Sequence, residues 1–193
     1  MPSKSLINRR YKSENVKTAR HRKISSTQWL HRQINDPFVK EAKARNYRCR
    51  AAFKILEIDQ KYRIFKNGLK VMDLGSAPGG WSQVVVKKVG PGNVYAIDLL
   101  DMEPIDGVEF IKQDFLAEDA ESNIISKTGF SEFDVVMSDM APNTSGDRKI
   151  DHLRAIMLAE MALDFSIRIL KKNGVFISKI FHGEGENELV NKL

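Results

Sequence analysis

The segment Asp73-Leu74-Gly75-Ser76-Ala77-Pro78-Gly79-Gly80-Trp81 concentrates residues that let a backbone turn sharply and come close to a ligand. It lacks the Gly-Lys-Ser/Thr of a phosphate-binding P-loop. It also departs from the dinucleotide fingerprint: counted from Gly75, the second glycine position holds Ala77, and Pro78 stiffens a loop that would otherwise wrap a pyrophosphate. A ligand without phosphates fits this turn better, and a nicotinamide dehydrogenase fits it worse. Further along, Asp98 can accept hydrogen bonds from both hydroxyls of a ribose, and Asp114 can reach an adenine amino group. Any single one of Asp73, Asp98, Asp114 and Asp139 can be explained as a cap or a loop hydrogen bond. Four of them at the tips of four successive strands would make an edge suited to a cationic nucleoside. S-adenosylmethionine, with sulfonium and ammonium charges and no phosphate, is such a molecule.

These residues need a scaffold that brings them to one edge. From Lys70 onward, apolar β-rich runs alternate with helical stretches: strands are expected at 70–75, 93–100, 108–114, 133–140 and 174–181, and helices at 81–89, 117–126 and 152–170. Most of the strand runs are continuously apolar, as for strands covered on both faces. Strands alternating with helices imply an α/β fold with a doubly wound, mainly parallel sheet, in which ligands bind beyond the carboxyl ends of the strands. Before it, Ser25 or Ser26 is expected to cap a first helix carrying Trp29, Leu30 and Gln33; a second runs from about Phe38 to Arg45, and a third ends near Tyr62.

The 193 residues carry a net charge of +6, unevenly distributed. Residues 1–54 hold 15 Lys and Arg against Glu14, Asp36 and Glu41, a net +12, leaving −6 for the rest. Clustered cations displace counterions condensed on nucleic acid, so a polyanionic partner is expected, with an affinity that falls steeply with salt. Residues 1–24 read as a basic, flexible arm; its Arg-rich, acid-poor character is shared by organelle transit peptides, but it lacks their amphipathic pattern. Residues 25–193 read as one domain. Cys49 is the only cysteine, which excludes an internal disulfide and a cysteine-rich zinc site. No run of 18 apolar residues suggests a membrane span, and no metal-ligand cluster is apparent, so a cytoplasmic protein is expected.

The chain resembles the FtsJ/RrmJ family of ribose 2′-O-methyltransferases, and within it the bacterial branch acting on large-subunit ribosomal RNA. The resemblance runs from about Ser25 to the last residue and rests on four motifs in order. These are Arg48-Cys49-Arg50-Ala51-Ala52-Phe53-Lys54, the turn from Asp73 to Gln83, Met137-Ser138-Asp139-Met140-Ala141-Pro142-Asn143, and Lys179-Ile180-Phe181-His182-Gly183-Glu184-Gly185. It implies a Rossmann-like methyltransferase fold with a basic helical N-terminal extension. It also implies S-adenosylmethionine as cofactor, and 2′-O-methylation of a uridine ribose in 23S ribosomal RNA, within the large subunit, by a monomer. Cofactor contacts are implied for Asp73, Gly75, Gly79, Gly80, Trp81, Asp98, Asp114 and Asp139. Three members of the family's catalytic tetrad fall on Lys54, Asp139 and Lys179. The fourth, a glutamate beyond the fifth strand, has no counterpart up to Leu193, nor have the last two strands of the family sheet, so a longer natural chain is expected.

Methyl transfer from a sulfonium cancels charge rather than creating it, so the protein must supply alignment and help remove the hydroxyl proton. Lys179 is the candidate base or hydroxyl-orienting group. With an ordinary pKa of about 10.4 it would be neutral about once in 2,500 molecules at pH 7. Burial against RNA and a neighbouring Lys54 would lower that value and Asp139 would raise it, giving a compromise near neutrality with substrate bound. Lys54 can instead hold the ribose or its phosphate. Arg32, Lys40, Lys43, Arg45, Arg48 and Arg50 are expected to meet phosphates; Trp29 and Tyr47 could stack on bases, with a core position expected for Trp29 and a structural loop role for His182. Alternatives are a 2′-O-methyltransferase of transfer RNA or of an RNA cap, and an RNA-binding ribosome-assembly factor without catalysis.

Overall fold

The computed structural model describes residues 11–18, 23–142, 145–180, 183 and 191. Residues 1–10 and 19–22 of the expected arm, and the motif residues Asn143, Phe181 and His182, lie outside them. The chain divides into two compact units, Met1–Arg63 and Ile64–Leu193.

The first unit consists of α1 (Ile24–Ile34), α2 (Pro37–Ala44) and α3 (Ala52–Tyr62). Asp36 begins α2 by accepting from the Phe38 amide at 2.8 Å, and Pro37 follows where no amide donor is needed. α1 starts at Ile24, after Lys23 and without a side-chain cap bond at that position, so Ser25 and Ser26 fall inside the helix rather than at its cap. Its inward face is set by Leu30 and Ile34, four residues apart and half-buried. Trp29 falls off that stripe and is 55% exposed, against the expected core position. Tyr47 does the reverse, packing edge-on against the fully buried Phe53 at 5.6 Å, with Phe38 at 5.7 Å on the same ring. Within the expected flexible arm, Tyr11 and Glu14 bond to the helices. Tyr11 donates to Glu41 at 2.6 Å, the Glu14 amide donates to the Asn35 side chain at 2.7 Å, and Glu14 pairs with Lys40 at 3.1 Å.

The second unit is the α/β body: β1 (Val71–Leu74), α4 (Gly80–Val89), β2 (Val94–Asp98), β3 (Val108–Lys112), α5 (Ala120–Thr128), β4 (Phe133–Ser138), α6 (Arg148–Ile169) and β5 (Leu170–Ser178). All neighbouring strands are parallel, in the order β3-β2-β1-β4-β5. β1 to β3 build outward on one side of β1, then β4 returns to its other side. That reversal puts the topological switch point between β1 and β4, where an open α/β sheet leaves a crevice. Side chains alternate across the sheet. Met72, Leu74, Tyr95, Ile97 and Val136 join a core with Ile124 of α5 and Ala162, Phe165 and Ile169 of α6. Among the described residues no helix is long and apolar enough to cross a membrane.

Strand ends are shorter than the sequence suggests because the tips peel into loops. β3 stops at Lys112, so Asp114 lies two residues beyond it rather than at its tip. Asp73 is not at a tip either: it is the third of four strand residues and 1% exposed.

Candidate active site

The turn after β1 is stitched to β2. The amides of Gly75 and Ser76 both donate to the Ile97 carbonyl, at 2.9 and 3.0 Å, and the Ala77 amide donates to Asp98 Oδ2 at 2.8 Å. Gly75 cannot be replaced cheaply. Its φ is +68°, and a Cβ there would stand 2.1 Å from Met140 Cγ, so residues following β4 close directly over the turn. Gly79, at φ +95°, ends the turn in the left-handed region and starts α4, whose first residues Gly80 and Trp81 are buried.

Asp98 ends β2 with each carboxylate oxygen already oriented: Oδ2 by Ala77 and Oδ1 by the Leu100 amide at 2.8 Å. A carboxylate oxygen has room for more than one donor, so the fixed pair can still take two hydroxyls. Asp114 is exposed, and its Oδ1 accepts from the Leu116 amide at 2.9 Å. Asp139 follows the last residue of β4. Lys179 follows β5, whose pairing with β4 continues through the Lys179 amide donating to the Ser138 carbonyl at 2.9 Å. Forty residues apart in sequence, the two meet through their side chains as well. Lys179 Nζ lies 3.0 Å from Asp139 Oδ1 and donates to the Asp139 carbonyl at 2.9 Å, with side chains 19% and 16% exposed. Lys54 belongs to the first unit, half-buried on the first turn of α3.

Asp73 faces α4 instead of the rim and accepts from Ser82 Oγ at 2.6 Å. Burial pushes its carboxyl up to about 7; the Ser82 hydroxyl opposes this, and the negative charges of Asp139 and Asp98 add to it. Its role is beneath the rim rather than on it. The unfolded chain ionises this group near its ordinary value, so between about pH 4 and 7 unfolding releases a proton and stability falls as pH rises. The slope is about 1.4 kcal/mol per pH unit for a full proton. Asp73→Asn is expected to flatten that slope in urea denaturation followed from pH 5 to 8. A variant with the wild-type pH dependence would show that Asp73 is ionised throughout.

Two site residues carry signals that the motif reading passed over. Ser82 shares a helical face with the apolar Val85, Val86 and Val89, an inward position for a hydroxyl, and only a buried partner explains it. Ser76 Oγ is buried with no hydrogen-bond partner, the one such side-chain atom among the described residues. An unmet polar group in a ligand-binding turn is one that a bound molecule can satisfy. Glycines that open the backbone, carboxylates at Asp98 and Asp114, and this orphan hydroxyl together suit a polar, positively charged nucleoside. Among the described residues no three His, Cys, Asp or Glu side chains gather as a metal would require.

Comparison with known proteins agrees with this geometry. The model of the FtsJ-like methyltransferase family matches residues 47–193. A Rickettsia akari protein named ribosomal RNA large subunit methyltransferase E is 46% identical over 98% of this chain and 86% of its own length. A Bradyrhizobium diazoefficiens protein of the same name is 51% identical over 92% of this chain and 79% of its own. Among solved structures, a Plasmodium falciparum protein described as a ribosomal RNA methyltransferase superposes with a TM-score of 0.68. It shares 27% identity, covering 76% of this chain and 85% of that one. The sheet order, the glycine turn at the switch point and these matches lead to one conclusion: the chain belongs to the FtsJ-like methyltransferase family.

Proposed function

We propose that the chain transfers the methyl group of S-adenosylmethionine to the 2′-hydroxyl of a uridine ribose in large-subunit ribosomal RNA. The observation that carries this reading is the Lys179–Asp139 pair at the carboxyl ends of adjacent strands, beside the turn that Asp98 anchors. The names of the Rickettsia and Bradyrhizobium relatives support the RNA class. The cofactor, when bound, supplies a methyl carbon activated by positive sulfur. Asp98 holds its ribose hydroxyls, Asp114 the adenine amino group, and the backbone from Gly75 to Gly80 accommodates its amino acid part. Asp139 holds Lys179 in one pose; Lys179 orients the attacking hydroxyl and, once its own ammonium proton has gone to solvent, takes the hydroxyl proton as the oxygen–methyl bond forms and the methyl–sulfur bond breaks. Lys54 is assigned to the same chemistry on the family resemblance. In this reading the enzyme works as a monomer in the cytosol and meets its RNA within the large subunit.

The test is incubation with methyl-labelled cofactor and large ribosomal subunits lacking the modification, followed by mapping of the labelled nucleotide. Label on a uridine 2′-oxygen of the large-subunit RNA is expected. Label on a base, or on transfer RNA alone in a mixed sample, would overturn the substrate assignment.

A further inference from the structure

Two large aromatic rings of the first unit, Trp29 and Tyr62, lie exposed to water. Trp29 is 55% exposed, whereas Trp81, the only other tryptophan of the chain, is 3% exposed. Trp29 makes no ring or cation contact among the described residues. Tyr62 is as exposed, but Lys61 Nζ already stands over its ring at 4.8 Å. One helical turn on from Trp29, Arg32 occupies the same side of α1, also exposed and with no acidic partner among the described residues. An open indole next to a permanent cation is how proteins hold unpaired nucleotides: the base stacks on the ring, and the guanidinium takes a phosphate.

Charge decides which occupant fits. All three acids of residues 1–54 are spent on neighbours: Glu14 on Lys40 at 3.1 Å, Glu41 on Arg45 at 2.6 Å, and Asp36 on Arg50. The +12 excess of that segment is therefore not offset by any exposed unpaired acid of its own. Such a field attracts a polyanion and disfavours a neutral apolar partner that would have to cover both Trp29 and its cationic surroundings. It also reassigns the sequence expectation for phosphate contacts. Lys40, Arg45 and Arg50 each hold an ion pair within the unit, while Arg32 has no acidic partner among the described residues.

We infer that Trp29 and Arg32 form a stacking and phosphate contact for an unpaired nucleotide of the RNA substrate; this rests on the RNA reading above. The intrinsic fluorescence of the full chain is followed while an unstructured RNA oligonucleotide is added, with filter binding to large subunits in parallel. RNA is expected to quench a tryptophan signal that Trp29→Phe removes. Trp29→Ala is expected to weaken RNA binding about ten- to hundredfold, as loss of one stacked base does, with an unchanged salt slope. Arg32→Ala should instead lower that slope by about one. Cofactor affinity should be unchanged in all three variants. Quenching that persists in Trp29→Phe, unaltered RNA affinity in Trp29→Ala, or equal rescue by Trp29→Leu and Trp29→Phe would overturn the contact, the last by pointing to packing alone. If the wild-type chain methylates RNA and any of these occurs, only the contact fails. If the wild-type chain neither binds nor methylates RNA, the substrate reading fails first.

Discussion

Lys179→Ala is expected to lower the rate of methyl transfer at least a thousandfold while cofactor affinity stays within about twofold. The loss combines two effects: an amine that takes or orients the hydroxyl proton contributes about 10²–10⁴, and alignment of the reacting groups contributes further. In the protein this amine has little freedom. Its Nζ is held on Asp139 by both the carboxylate, at 3.0 Å, and the backbone carbonyl, at 2.9 Å. Removing it leaves Asp139 without that partner while 16% exposed, so thermal unfolding should accompany the kinetics to separate lost chemistry from lost fold. Lys179→Arg keeps the positive charge but changes the reach and fork of the donors, and it should rescue stability without rescuing turnover. Single-turnover methylation by the alanine variant at the wild-type rate would remove Lys179 from the chemistry.

The second large effect is expected at Asp98. Asp98→Ala should weaken S-adenosylmethionine binding by about 1–3 kcal/mol, because ribose donors lose their acceptor inside the site. The same substitution releases the Ala77 amide, which Asp98 Oδ2 holds at 2.8 Å, and so loosens the turn proposed to receive the cofactor. Asp98→Asn retains one carbonyl oxygen and separates the two contributions: if the turn dominates, the asparagine variant binds much more tightly than the alanine variant. The charge also matters beneath the rim, since Asp98 helps to raise the carboxyl of Asp73. Both variants should therefore shift the pH window of stability assigned to Asp73 downward. Calorimetry giving wild-type affinity for Asp98→Ala would exclude Asp98 from the cofactor site.

Local chemistry carried most of the architecture. Continuous apolar runs separated by helical periods marked all five strands within a few residues, and the glycines flanking Ser76-Ala77-Pro78 marked the turn between β1 and α4. Asp98 was legible because an acid closing an apolar run can hardly point into the core. Other features depend on which side of an element a residue faces, and this varies residue by residue. Its position at the end of an apolar run suggests a rim carboxylate at Asp73, yet in a strand alternate side chains take opposite faces, so it shares the α4 face with Val71 and needs Ser82 to be tolerated there. A large apolar ring such as Trp29 suggests a core position, but its neighbours Leu30 and Ile34 define the half-buried stripe and leave it outside.

By itself, then, the sequence determined the succession of strands and helices, the open turn, the carboxylates that end β2 and follow β3 and β4, and the basic character of the first unit. All of these arise from residue types and from spacings within about ten residues. Only the folded chain settled the order β3-β2-β1-β4-β5, the closure of Met140 over Gly75 and the two-point contact of Lys179 Nζ with the carboxylate and carbonyl of Asp139. These depend on strands pairing between residues 14 to 64 positions apart in sequence, and pairing between distant segments is selected by burial of the whole sheet rather than by any local run of residues.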